Sequence, residues 1–310
     1  MNIQEFRRAL TGISGVPITA YGSDGEVDAR VTKTVYAQVA SAGIHNIVAA
    51  GNTGEFYTLT SFEISTVLEA AIAGVDGKAP VTAAIGRSLR EAIGMAKAAK
   101  AMDASAVMSH QPVDPFAAPH AQIDYFRGLA EESPLPLVAY VRAEGFSLDD
   151  MMRLADHPNI AGIKFATTDI ILLSRSIAAS DPGKALFVCG LAESWAPAFC
   201  AAGARGFTSG LVNVAPHFSL AIHAALEKGD FAEARRIIAV IEPFERMRTK
   251  YRNGANVTVV KEAVGIMGLS VGEVRIPGLP RLEPADRAEL MKLLESWSAE
   301  DGRTKVASAR

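Results

Sequence analysis

Short apolar runs alternate with helix-like stretches along this chain, and the alternation predicts an α/β protein: a (β/α)8 TIM barrel with a C-terminal helical appendage. Three observations carry that prediction. The runs are a few residues long and almost wholly apolar, the pattern of parallel strands covered on both faces. About eight of them recur without a break, which closes naturally into a barrel. The 310 residues hold these units with no linker between them, although length alone would also fit two average domains. An open doubly wound sheet is the alternative, and it lacks a glycine-rich phosphate fingerprint after the first strand.

Residues 12–19 read as the first strand, Gly22-Ser23-Asp24-Gly25 as a turn, and residues 28–42 as a helix. The apolar run 46–50 ends in Gly51-Asn52-Thr53-Gly54-Glu55, after which Thr60 or Ser61 can cap a helix ending near Val75. The third strand covers 80–84 and leads through Gly86-Arg87-Ser88 to a helix over 90–102; the fourth, 106–109, is closed by His110-Gln111-Pro112. A helix near 121–131 precedes the fifth strand, 136–141, and Ser147 caps the next helix. The sixth strand is Asn159-Ile160-Ala161-Gly162-Ile163-Lys164-Phe165-Ala166, followed by a helix at about 170–180 and strands at 185–190 and 206–210. Residues 218–228, 231–250, 257–267 and 286–297 then show helical spacing. The expected organisation is a barrel core over 1–215, helices packed on it over 216–300, and a flexible tail over 301–310.

Composition narrows the function classes. Hydrophobic residues make up 49% and charged residues 21%, the balance of a globular enzyme. With 31 basic against 34 acidic side chains and no long single-sign run, neither nucleic acid nor an anionic membrane is the expected partner, which leaves a small molecule. Cys189 and Cys200 match no metal spacing and fit a reducing cytoplasm. The first ten residues, with Glu5, Arg7 and Arg8, do not read as a signal peptide, and no run approaches a membrane span.

Lys164 is the residue that most needs a reason. Desolvation disfavours the ammonium form, so a lysine in such a strand finds a carboxylate, snorkels to water, or becomes a neutral nucleophilic amine. In a barrel, reactive groups gather at the carboxyl ends of the strands, and the unusual residues fall there: Gly51 to Glu55 after the second, Tyr140 at the fifth, Lys164 at the sixth, Gly190 at the seventh and Thr208, Ser209 and Gly210 at the eighth. The Gly51 turn, with Thr53, suits a carboxylate or phosphate, or its glycines serve backbone shape alone. Tyr140 is either a barrel-layer aromatic or a mouth residue; in the second case Arg142, two residues on, faces the mouth as well and can bind a substrate carboxylate, unless it makes only a surface ion pair. The six histidines form no metal set, so no metal is expected, and Glu193 after the seventh strand reads as a helix-start carboxylate.

Gly51-Asn52-Thr53-Gly54-Glu55, Tyr140, Gly162-Ile163-Lys164, the 206–210 strand and the closing Lys261-Glu262-Ala263 and 268–280 segments together resemble the dihydrodipicolinate synthase and N-acetylneuraminate lyase superfamily over nearly the whole chain. The resemblance implies a class I lyase whose Lys164 forms a Schiff base with C2 of a 2-oxo acid such as pyruvate, without a cofactor. Asn52 and Thr53 are then expected to hold the C1 carboxylate, Tyr140 to move protons, and Gly190, Thr208 and Ser209 to line the pocket. It further implies a homo-oligomer, a tetramer or dimer. His110-Gln111-Pro112 stands where the synthases carry a paired tyrosine of an inter-subunit relay, and Tyr140-Val141-Arg142 is closer to the Tyr-Asn-Arg of the sugar-acid dehydratase branch, such as 5-dehydro-4-deoxyglucarate dehydratase. An aldolase or dehydratase for a sugar-derived 2-oxo acid is therefore expected ahead of a true 4-hydroxy-tetrahydrodipicolinate synthase. A non-catalytic 2-oxo-acid-binding paralogue is the alternative from another class.

Overall fold

The structure is a computed structural model that describes residues 1–142 and 144–300. The expected tail over 301–310 lies outside the described residues. Eight parallel strands close into one barrel in sequential order: β1 (Ile13–Gly15), β2 (Asn46–Ala49), β3 (Val81–Ile85), β4 (Ala106–Ser109), β5 (Leu137–Val141), β6 (Ile160–Phe165), β7 (Leu186–Cys189) and β8 (Phe207–Ser209). Strand β1 is shorter than the run 12–19, because the chain leaves the sheet after Gly15 and continues as a buried connection through Val16, Ile18 and Ala20.

Between the strands lie α2 (Ala29–Ser41), α3 (Ser61–Val75), α4 (Leu89–Ala101), α5 (Pro119–Glu132), α6 (Leu148–Ala155), α7 (Ile170–Ala179) and the short α8 (Ala196–Ala201). Thr60 and Ser147 start α3 and α6 with reciprocal capping boxes to Glu63 and Asp150, which fixes where each return helix begins. One helix was not foreseen. α1 (Ile3–Leu10) has its own capping box between Asn2 and Glu5 and runs under the barrel, where Arg7 donates to the Gly183 and Ile160 carbonyls. Gly162 leaves room there: a Cβ on it would stand 3.0 Å from a Leu10 methyl. Asn159 secures the entry to β6 by donating to the carbonyls of Ala130, Ser133 and Leu135.

After β8 come α9 (Pro216–Glu227), α10 (Phe231–Asn253), α11 (Asn256–Ile266) and α12 (Pro284–Glu300). The end of α10 departs from helical geometry at Lys250, Tyr251 and Arg252, so the chain turns there and delivers Asn253 and Asn256 to the barrel mouth.

Candidate active site

Register places the expected groups side by side. Tyr140 on β5 pairs with Lys164 on β6, Lys164 with Val188 on β7, and Ser209 on β8 with Gly15 on β1. These strand ends open into a cavity of about 410 Å³ whose lining includes Asn52, Thr53, Tyr140, Arg142, Lys164 and Gly190. Thr208 and Ser209 line it from the β8 side. All eight residues expected from the sequence thus meet in one cavity. A larger groove of about 660 Å³ lies between α11 and the segment 268–287, but its Arg281 and Arg287 are already paired with Glu273 and Glu262.

Lys164 is 4% exposed, and among the described residues no carboxylate forms an ion pair with it. Burial, reinforced by the positive charge of Arg142, pushes its pKa down to about 7. A large fraction is therefore the neutral amine near neutrality, and snorkelling is excluded by the burial. Its Nζ stands 3.8 Å from the centre of the Tyr140 ring. Burial pushes the Tyr140 phenol up to about 12, so it is protonated, and its oxygen accepts a hydrogen bond of 3.1 Å from the Asn52 side chain. That leaves the phenolic proton free for a ligand, while the Asn52 carbonyl oxygen is buried without a partner.

The two glycines have definite spatial reasons. A Cβ on Gly51 would lie 2.6 Å from a Val16 methyl, and one on Gly190 would lie 2.6 Å from the Ala166 Cβ, so the β6 and β7 ends could not approach. Arg142 is exposed at the rim; its guanidinium lies 5.9 Å from the Tyr140 ring centre and reaches the Tyr57 hydroxyl. Its backbone N-H is held by Gln111 at 2.7 Å, and Gln111 is in turn bonded to Gln122, so the loop after β4 fixes the end of β5. His110 is buried and stacked on Phe56 at 4.1 Å, and desolvation holds its pKa well below the ordinary value, so it is neutral.

One cavity residue escaped the sequence reading. Arg248 on α10 is 4% exposed and lines the cavity; it pairs with Glu245 at 2.6 Å, donates to Asn256 at 2.9 Å, and leaves its Nε without a partner. No local signal marks it, since its neighbours are the charged residues of an ordinary amphipathic helix. Glu193 opens a 3-10 turn over Glu193–Trp195, as a helix-start carboxylate should, and it is 0% exposed and accepts a 2.6 Å hydrogen bond from Ser219. What the sequence does not show is its burial, which comes from α9 folding over the β7–α8 connection, a contact that lies far away in sequence.

Comparison with known proteins adds independent evidence. The model described as the dihydrodipicolinate synthetase family matches residues 9–297. A probable 5-dehydro-4-deoxyglucarate dehydratase of Streptomyces coelicolor is 32% identical over 289 residues, with 90% of each chain covered. A 4-hydroxy-tetrahydrodipicolinate synthase of Exiguobacterium sibiricum is 31% identical, covering 90% of this chain and 95% of its own. The solved dihydrodipicolinate synthase of Oceanobacillus iheyensis superposes with a TM-score of 0.92 at 38% identity, covering 96% of this chain and all of that one. Among the described residues no helix is long and apolar enough to cross a membrane.

Proposed function

We propose that this chain, which belongs to the dihydrodipicolinate synthetase family, removes water from a sugar-derived 2-oxo acid carrying a second carboxylate. It is a lyase that works through a Schiff base to a 2-oxo acid. The observation that carries our assignment of residues is the buried, unpaired Lys164 amine beside a protonated phenol.

In this reading the neutral Lys164 amine adds to C2, and Tyr140 gives its proton to the departing carbinolamine hydroxyl. The resulting phenolate takes a C3 proton, driven by the adjacent iminium, and the enamine is left poised to expel a C4 hydroxyl. Asn52 orients the Tyr140 oxygen, and Thr53 with the 51–54 turn holds the C1 carboxylate. Gly190, Thr208 and Ser209 shape the wall along which the carbon chain extends, and Arg248 and Arg142 are the two cations available for a distal carboxylate.

The dehydratase reading is favoured over the synthase reading because the β4 loop uses His110 and Gln111 to brace the barrel instead of presenting a tyrosine. A homo-oligomer, dimer or tetramer, is supported by the apolar surface left on the β2 and β4 loops, where Tyr57, Val113 and Phe116 are exposed. The free Cys189 and Cys200 fit a cytoplasmic setting.

Sodium borohydride with pyruvate, followed by peptide mapping, is expected to leave a reduced pyruvyl adduct on Lys164, and 5-dehydro-4-deoxyglucarate is expected to be consumed with release of water. An adduct elsewhere, or none, overturns the lysine assignment; an adduct without turnover favours a 2-oxo-acid-binding protein. Arg248 is the buried arginine, so Arg248→Lys, which keeps the pairing charge for Glu245 but loses the planar fork, is expected to raise KM for the diacid about 10-fold or more. Arg142→Ala at the solvated rim should act less; equal effects of either change on a monocarboxylic 2-oxo acid would remove these arginines from recognition of the second carboxylate.

A further inference from the structure

A dehydration needs an acid for the departing C4 hydroxyl; Tyr140, which regains its proton from C3, is one donor at the cavity, and the β8 side of the cavity holds a second, independent set of proton-bearing groups. Ser209 is 1% exposed at the end of β8 and lines the cavity. Its Oγ lies 3.2 Å from the Oγ of Ser219 on α9, and Ser219 lies 2.6 Å from Glu193 Oε1; both of these deeper residues are fully buried. The second oxygen of Glu193 has no partner. A carboxyl and two hydroxyls, all three buried, are therefore joined in a series that ends at the cavity.

We infer that Glu193, Ser219 and Ser209 form a proton relay that supplies the leaving C4 hydroxyl of the bound enamine. This rests on the dehydratase reading above. With Glu193 ionised, both serine protons point inward to the carboxylate, as Ser219 does at 2.6 Å. With Glu193 protonated the direction reverses: Glu193 donates to Ser219, Ser219 to Ser209, and the Ser209 proton is free to face the cavity. The enamine then forms the C3–C4 double bond, the C4–O bond breaks with its electron pair, and the hydroxide leaves as water carrying the Ser209 proton. Ser209 is refilled from Ser219 and Ser219 from Glu193. Hydrolysis of the final iminium releases one proton, which returns along the same line and restores the acid.

The surroundings raise the Glu193 pKa to about 7, so both its acid and its carboxylate forms are populated near neutrality. Burial raises its pKa, the Glu245 carboxylate of α10 raises it further, and Ser209, Ser219 and Arg248 oppose the rise without reversing it. Cys189 on β7 carries no charge, since burial pushes its thiol up to about 12. The Ser209 oxygen also accepts the Val212 backbone N-H at 3.2 Å, which fixes it in place and leaves its one proton to face either Ser219 or the cavity.

The test compares Glu193→Gln with the parent on 5-dehydro-4-deoxyglucarate across pH, alongside borohydride trapping of pyruvate. Glutamine accepts the Ser219 hydrogen bond but cannot pass a proton. The expected result is a kcat lowered about 100-fold with little change in KM, the size of a lost general acid. The parent's decline of kcat on the alkaline side should disappear in the variant, while an adduct still forms on Lys164. Ser219→Ala, which breaks the line and leaves Glu193 in place, should lower kcat similarly and serves if the first variant fails to fold. An unchanged alkaline decline, or a change in KM alone, overturns the relay and leaves the dehydratase reading standing. A parent that forms the pyruvate adduct yet does not turn over the diacid overturns both.

Discussion

Replacing Lys164 by Met is expected to abolish turnover and raise the melting midpoint in the same protein. The loss of activity follows from removing the only atom proposed to bond to C2, and should be on the order of 10⁴-fold or more. The gain in stability follows from the burial that makes the amine reactive. The folded-state pKa of about 7 lies below the ordinary value of 10.5, so between those limits the unfolded chain binds more protons than the folded one. The parent's stability therefore rises with pH across that window, and the penalty for burying this lysine is full below about pH 7. Three to four pKa units correspond to roughly 4–5 kcal/mol. Methionine fills nearly the same volume without the charge, so the variant's advantage should be largest at or below neutrality and fade toward pH 10. An equal melting midpoint for parent and variant at neutral pH would mean that Lys164 is not held at a cost, and the reactive-amine argument would fall with it.

That strained lysine was the most legible feature of the chain, because a single cation inside an apolar strand stands out without any tertiary information. The eight-strand order, the caps at Thr60 and Ser147, and the convergence of Asn52, Tyr140 and Ser209 on one mouth were also readable, since a closed barrel turns strand ends into neighbours by geometry alone. What was hidden depends on contacts between helices and on one short element. Helix α1 is eight residues long and buries Arg7 along with Phe6 and Leu10, so its apolar stripe is too brief and too interrupted to register. Arg248 enters the cavity because α10 lies over the mouth, and Glu193 is covered because α9 brings Ser219 to it; neither depends on local residue order. The C-terminal helices are thus part of the pocket wall, not only a support behind it.

The Gly51 to Glu55 turn illustrates the same dependence, and disrupting its anchor should have the second large effect. Glu55 takes a left-handed backbone conformation with φ of 65°, and its carboxylate pairs with Lys261 of α11 at 2.6 Å; the two side chains are 3% and 2% exposed. The other Glu55 oxygen accepts the Arg275 backbone N-H at 2.9 Å, while Arg275 itself binds Glu63 and covers Tyr21. The pair therefore ties the proposed carboxylate-binding turn to the C-terminal segment. Breaking a buried pair by removing one partner costs about 3–5 kcal/mol. Lys261→Met leaves the Glu55 side chain buried with the Arg275 amide as its remaining partner, and should cost about 3–5 kcal/mol. Glu55→Gln should cost less, because the abandoned amine, whose pKa burial already holds down at about 8, can release its proton. With Lys261 lower still in that variant, its melting midpoint should climb more steeply with pH through neutrality than the parent's, since the unfolded chain then binds the extra proton over a wider range. Both changes slacken the turn, so KM for pyruvate should rise about 10-fold in each. Variants that melt with the parent and bind pyruvate unchanged would show that the turn holds its shape through Gly51 and its neighbours alone, without the buried pair.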